Sequence, residues 1–168
     1  MQAQRRELYR EHTGWPLGIQ VLVWGALVGA ALGIFREGGG ARVPPEPGAL
    51  LAALGAMALA FALHAFLGGL TVVVESDTVR VGLGNGRLVR TRIPLEEIRS
   101  MEPVTYRPLR DFGGWGLRGG RQKRAWTARG NRALALTLRD GRQVYLGSDD
   151  PERLAARIRM AMGAGRAG

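Results

Sequence analysis

Hydrophobic positions divide this 168-residue chain into two unlike parts. Trp15 to Phe35 and Gly48 to Leu70 are nearly continuous apolar runs, and neither contains Asp, Glu, Lys or Arg. At a helical rise of about 1.5 Å per residue, each is long enough for a hydrocarbon layer of roughly 30 Å. A buried helix pair in a water-soluble core would normally carry a polar stripe at helical spacing, and no such stripe is present. The pattern therefore predicts a transmembrane hairpin: helix 15–35, a Gly- and Pro-rich connection 36–47 and helix 48–70, preceded by a short segment 1–14. The length of the first run and the immediate second one argue for an uncleaved anchor over a signal peptide.

Beyond Leu70 the apolar positions alternate with polar ones, the period of half-buried strands. Val72 to Glu75 and Thr78 to Leu83 read as strands, and Val79, Val81 and Leu83 share a face opposite Arg80. Asn85-Gly86 marks a hairpin turn, after which Val89, Thr91 and Ile93 point inward and Arg90 and Arg92 outward. A second hairpin is marked by Asp140-Gly141, between Leu134, Leu136 and Leu138 on one side and Val144 and Leu146 on the other. The chain then closes on a helix, with Asp149 or Asp150 as N-cap, Pro151 in the first turn and Leu154, Ile158 and Met162 stacked at helical spacing. The whole reads as an α+β membrane protein: a two-helix hairpin followed, over 71–168, by an antiparallel sheet or barrel capped by a C-terminal helix.

Charge adds a direction. The chain carries 24 Lys and Arg against 14 Asp and Glu, a net charge of +10, and 23 of the 24 basic residues are Arg. Arg5, Arg6 and Arg10 precede the first run, the connection holds only Arg36 and Arg42, and the rest follow Leu70. Positive residues concentrate on the cytoplasmic side, so both termini are expected there, in a multi-pass protein of the inner cell membrane. With no cysteine, the chain has neither a disulfide nor a thiolate metal site.

Inside the hairpin, Gly25, Gly29 and Gly33 recur at four-residue spacing, as do Ala52, Ala56 and Ala60. Such stripes of small residues let helix backbones approach closely, either within the hairpin or across a homodimer. Gln20 and His64 fall at similar depth and form the one polar level, read as an interhelical hydrogen bond in preference to a proton relay. His12 lies nearby, but two histidines do not make a metal site.

Several segments together resemble a known family. IPLEEIRS (93–100), RDFGGWGLR (110–118) and GNRALALTLRDGRQVYLGSDDPERLAARI (130–158) are similar to bacterial membrane proteins that carry a pleckstrin-homology-like domain after two N-terminal transmembrane helices. The resemblance implies a bent antiparallel sheet of about seven strands capped by a C-terminal helix, and it transfers no catalytic residue.

Candidate chemistry is confined to binding. Between Thr105 and Arg132, basic residues interleave with aromatics, and Arg107, Arg110, Trp115, Arg118, Arg121, Lys123 and Arg124 form the candidate binding patch. Beside a membrane it would attract anionic headgroups; compositional bias toward Arg explains it equally well. Gly82 to Arg87 reads as a hairpin turn, not a phosphate loop, because no helix follows. Asp149 and Asp150 are accounted for as a helix start. No catalytic, cofactor or metal constellation emerges. The expected function is thus a membrane-anchored, non-catalytic binding or scaffold module that presents a basic domain to a protein or peptide partner or to anionic headgroups. The alternative is a small accessory subunit of a larger membrane transport or enzyme complex, packing through the hairpin. Membrane lipids and a protein partner or second copy are the expected partners, with no nucleic acid.

Overall fold

The computed structural model describes residues 7–37, 47–66, 68–84 and 89–164, without the side chains at 30, 34–37, 49, 50, 53, 60 and 64–66. The alternating segments fold into two sheets. The first has the order β1-β2-β3-β4, built from Glu7–Thr13, Leu70–Glu75, Thr78–Leu83 and Val89–Pro94. The second has the order β5-β8-β9-β7-β6, from Ile98–Thr105 (β5), Gly116–Gly119 (β6), Lys123–Thr127 (β7), Arg132–Leu138 (β8) and Gln143–Gly147 (β9). All pairs are antiparallel except β7 with β9. The single bent sheet of about seven strands is thus replaced by nine described strands in two sheets. Residues 116–127 supply the difference: a glycine-rich stretch without clear alternation makes β6 and β7.

Period-two patterning places the core between the sheets. Leu70, Val72, Val74, Val79, Val81 and Leu83 from the first sheet meet Trp126, Leu134, Leu136 and Leu146 from the second, all buried. The helix Pro151–Ala164 closes this core with Leu154, Ala155, Ile158 and Ala161, while Arg153 and Arg159 stay outside. Asp150 is its N-cap: a side-chain oxygen accepts the N–H of Arg153 at 3.0 Å. Burying residues such as Leu154 and Ile158 stabilises the fold by about 1.5–3 kcal/mol each.

The segment before the first apolar run is not a free lead-in. Glu7–Thr13 pairs with β2 in a register that sets Thr13 opposite Leu70, so the chain leaves the sheet at Thr13 and rejoins it one strand over. Between these points stand two helices that lie against each other, α1 (Leu17–Glu37) and α2 (Pro47–Phe66). The exit and return are tight. A Cβ on Gly69 would lie 2.5 Å from the Thr13 carbonyl oxygen, and the φ of +85° at Gly69 is one that side chains rarely adopt.

The transmembrane expectation is overturned. Among the described residues, no helix is long and apolar enough to cross a membrane. Along α1, Gly18, Gln20, Gly25 and Gly29 add little apolar area. The multi-pass inner-membrane placement and the cytoplasmic assignment of both termini rested on two such spans and fall with them.

The glycines of the first stripe make no close contact among the described residues. Gly25 and Gly29 are exposed, and at Gly25, Gly29 and Gly33 no described atom comes within 4 Å of where a Cβ would stand. The less exposed face of α1 carries Ile19, Gln20, Val23 and Leu27 instead, while on α2 Ala52 is exposed and Ala56 and Leu63 are half-buried. The side chains of Ala60 and His64 lie outside what is described, as does the Asn85-Gly86 turn.

The crossing at Gly69 supplies a test of the fold. Gly69→Ala is expected to destabilise the chain by about 1–3 kcal/mol, the range for a strained backbone position, and to lower the urea midpoint without changing the slope. Gly29→Ala, in open space in the middle of α1, is expected to raise the midpoint slightly, by about 0.5–1 kcal/mol of helix propensity.

Candidate functional site

Strand periodicity divides the basic stretch that the sequence presents as one patch. Along β7, Arg124 and Trp126 take the side facing the first sheet, and Lys123 takes the opposite side. There the Lys123 ammonium sits 4.9 Å from the ring centroids of both Phe112 and Tyr145. Phe112 reaches this position from a short helix, α3 (Pro108–Phe112), ended by Gly113 at φ +71°. Its ring meets Tyr145 edge-on at 5.2 Å and Tyr106 at 5.9 Å. The one lysine of the chain is thereby held over two π faces as part of a structural cluster.

The other patch residues also scatter. The backbone N–H of Arg107 donates to the Asp111 carboxylate at 2.8 Å at the start of α3, and Arg110 is exposed on that helix. Trp115 is half-buried and donates its indole N–H to the Gly130 carbonyl at 2.9 Å. Arg118, on β6, donates from Nε to the Trp115 carbonyl at 3.2 Å. Only Arg121 and Arg124 are brought together around a common space.

That space is a cleft of about 340 Å³ between the two sheets. On one side it is bounded by Thr91, Arg92 and Ile93 of β4; on the other by Arg121, Arg124 and the β8–β9 hairpin with Arg142 and Gln143. Trp126, Leu138 and Val144 make an apolar floor, and Glu97 contributes the one acidic side chain. Among the described residues, Arg92, Arg121 and Arg124 form no ion pair, whereas Arg142 is held by Asp140. The N–H of Arg142 and its guanidinium pull the Asp140 carboxyl below the usual range. Arg92, Arg121 and Arg124 thus line the cleft over an apolar floor with no ion-pair partner among the described residues, and a guanidinium is a planar donor.

The positive character continues over the outer face of the first sheet. Val73 lies opposite Arg10 on β1 and Arg80 on β3, and Arg80 lies opposite Arg92 on β4. Arg80 is compensated by a buried carboxylate, Glu75, at 2.6 Å; Glu75 also accepts from the Thr78 hydroxyl at 3.2 Å. Even so, the Arg80 Nε is buried with no hydrogen-bond partner. Like charges facing across strands are unfavourable unless offset, so the uncompensated Arg92 carries the electrostatic excess toward the cleft.

Arg92 and Arg142 are the residues that sequence reasoning missed. Both look like ordinary outward arginines in strand or hairpin patterns, and only the packing of two sheets makes them neighbours of Arg121 and Arg124. Gln20 and His12 have local duties: Gln20 donates to the Trp15 carbonyl at 3.0 Å, and a ring nitrogen of His12 lies 3.0 Å from the Thr71 hydroxyl. Asp149 pairs with Arg129 at 2.6 Å. Glu11 on β1 accepts from the Ser148 hydroxyl at 2.6 Å and the Asp149 N–H at 3.0 Å. Among the described residues, no three His, Asp or Glu side chains gather as a metal would require.

The aromatic cluster behind the cleft has a pH signature. Burial pushes the Tyr106 phenol above its ordinary value, with a smaller opposing pull from the Thr127 hydroxyl, and no hydrogen bond of good geometry satisfies it. Burial, then Glu11, raises Tyr9 in the same direction. A folded-state phenol pKa above the unfolded one leaves stability intact below about pH 10 and removes it as pH rises further. Tyr106→Phe is therefore expected to be neutral or stabilising at pH 7 and to flatten the fall of the melting temperature above pH 10. Thermal scans between pH 8 and 11.5 measure this, and an unchanged alkaline slope would contradict it. No family model, no curated protein and no solved structure matches this chain.

Proposed function

We propose that the chain is a non-catalytic binding module that holds an anionic group of a partner in the arginine-lined cleft between its two sheets. The observation that carries this reading is the gathering of Arg92, Arg121 and Arg124, free of ion pairs among the described residues, around one cleft. Charge-assisted hydrogen bonds from guanidinium to carboxylate or phosphate are worth about 1.5–3 kcal/mol each, enough for a useful affinity from two or three contacts. The carboxylates that could suggest catalysis are engaged structurally: Asp150 caps α4, the Pro151–Ala164 helix, and Asp149 pairs with Arg129. Of what the pleckstrin-homology-like resemblance implies, the C-terminal helix closing the strands is present, and the resemblance enters only as part of the proposal.

A second reading rests on the helix pair. Leu17, Leu22, Leu51 and Phe61 are each more than 70% exposed, and large apolar side chains left open to this extent favour an interaction surface. In this reading α1 and α2 pack against further copies of the chain. Light scattering of the full chain is expected to give a mass above the 18.1 kDa of one copy, falling to one copy in Leu22→Glu/Leu51→Glu. A wild-type chain that elutes as one copy removes this reading.

For the cleft, inorganic tripolyphosphate serves as a minimal polyanion. Titration calorimetry of the full chain is expected to show binding that weakens as salt rises and drops at least about tenfold in Arg121→Glu/Arg124→Glu. Arg107→Glu/Arg110→Glu, outside the cleft, is expected to change it less than about threefold. Equal binding by the cleft variant and the wild type would place the anion elsewhere.

A further inference from the structure

The cleft borders an edge strand. β4 ends the first sheet, and among the described residues no strand pairs with its outer side. The phase of its hydrogen bonds is set by Leu95, just beyond the strand, whose N–H donates to the Asp77 carbonyl at 2.9 Å. Ile93 opposite Val79 and Thr91 opposite Val81 fall on the same two-residue phase, turned toward β3. Arg90 and Arg92 fall on the other phase, so their backbone N–H and C=O groups face the open edge. Pro94, which has no N–H to give, also falls on that phase.

We infer that this edge takes an extended acidic peptide as an added strand, an inference that rests on the reading of the cleft as an anion site. A headgroup or free phosphate would meet the guanidiniums but leave the N–H and C=O row of β4 unused. An extended chain meets both: its backbone pairs with Arg90 and Arg92, and its side chains alternate between the cleft and the outer face of the first sheet. On the cleft side the floor of Trp126, Leu138 and Val144 suits apolar side chains and Arg121 and Arg124 beside it suit carboxylates; on the outer face Arg92 suits a carboxylate. Pairing of β4 with β4 of a second copy is opposed by the same arginines, which would face like charges across the new ladder. The preferred partner is therefore an unfolded or edge-exposed segment of another protein in which acidic and apolar residues are interspersed.

The test uses the full chain and a fluorescein-labelled octapeptide of alternating Glu and Val, followed by anisotropy. Two further peptides carry backbone N-methyl groups on alternate residues, one set on each edge of the would-be strand. One methylated peptide is expected to bind about tenfold more weakly, as for the loss of two or three backbone hydrogen bonds, and the other within about threefold of the parent. Arg121→Glu/Arg124→Glu is expected to weaken the parent peptide by about tenfold or more. If both methylated peptides bind as well as the parent, strand addition is overturned. If tripolyphosphate or phosphatidylglycerol vesicles bind through Arg121 and Arg124 while no peptide does, the cleft remains an anion site and the peptide inference falls alone. If neither peptide nor tripolyphosphate binds, both readings fall together.

Discussion

The pairing of β1 with β2 is the constraint on which the rest of the molecule depends. It joins segments separated in sequence by both long helices, so its ladder is formed only after a large loop has been closed. Once formed, it does more than extend a sheet. Glu11 on β1 accepts two hydrogen bonds from Ser148 and Asp149, directly before the Asp150 cap, and Tyr9 lies under the guanidiniums of Arg153 and Arg157 at 5.9 and 5.8 Å. The first strand thus holds the start of the last helix. Because α4 seals the core between the two sheets, the spacing of those sheets, and with it the width of the arginine cleft, traces back to this junction.

Much of the fold was legible where local pattern and tertiary demand agree. Thr78–Leu83 and Gln143–Gly147 stand as read, because one face of each is fully apolar and the turn residues beside them are unambiguous. The C-terminal helix was legible for the same reason, down to an aspartate cap. β1 was not: ELYREHT carries charge at three of seven positions and sits against a long apolar run that draws the eye. Its buried residue, Thr13, is polar, and its half-buried Tyr9 and Glu11 earn their places through contacts with residues more than 130 positions away. β6 and β7 were hidden by glycine, whose positive φ angles at Gly116 and Gly119 shape a ribbon without any hydropathy signal.

The site was legible in composition but not in geometry. A run of arginines and aromatics identifies a basic segment, yet a strand sends neighbouring side chains to opposite faces, so adjacent Lys123 and Arg124 belong to different surroundings. Lys123 becomes part of an aromatic cluster, while Arg124 joins Arg92 from a strand more than thirty residues earlier. The apolar runs taught the complementary lesson. Hydropathy summed over a window reported a span, whereas the described residues show two adjoining helices rooted between neighbouring strands, with no helix long and apolar enough to cross a membrane.

The close approach of Thr13 and Gly69 has a mechanical consequence. Both ends of the helix pair leave the sheet at one point, the Thr13–Leu70 end of the β1–β2 ladder. A pull exerted on the helices relative to the body therefore loads that ladder from its tip, opening its hydrogen bonds one after another as in a zipper, the geometry of least resistance for a strand pair. Tension would first part Thr13 from Leu70 and then His12 from Thr71, and would reach Glu11, with its grip on the start of α4, only afterwards. The order of those steps is written into the register of a single strand pair.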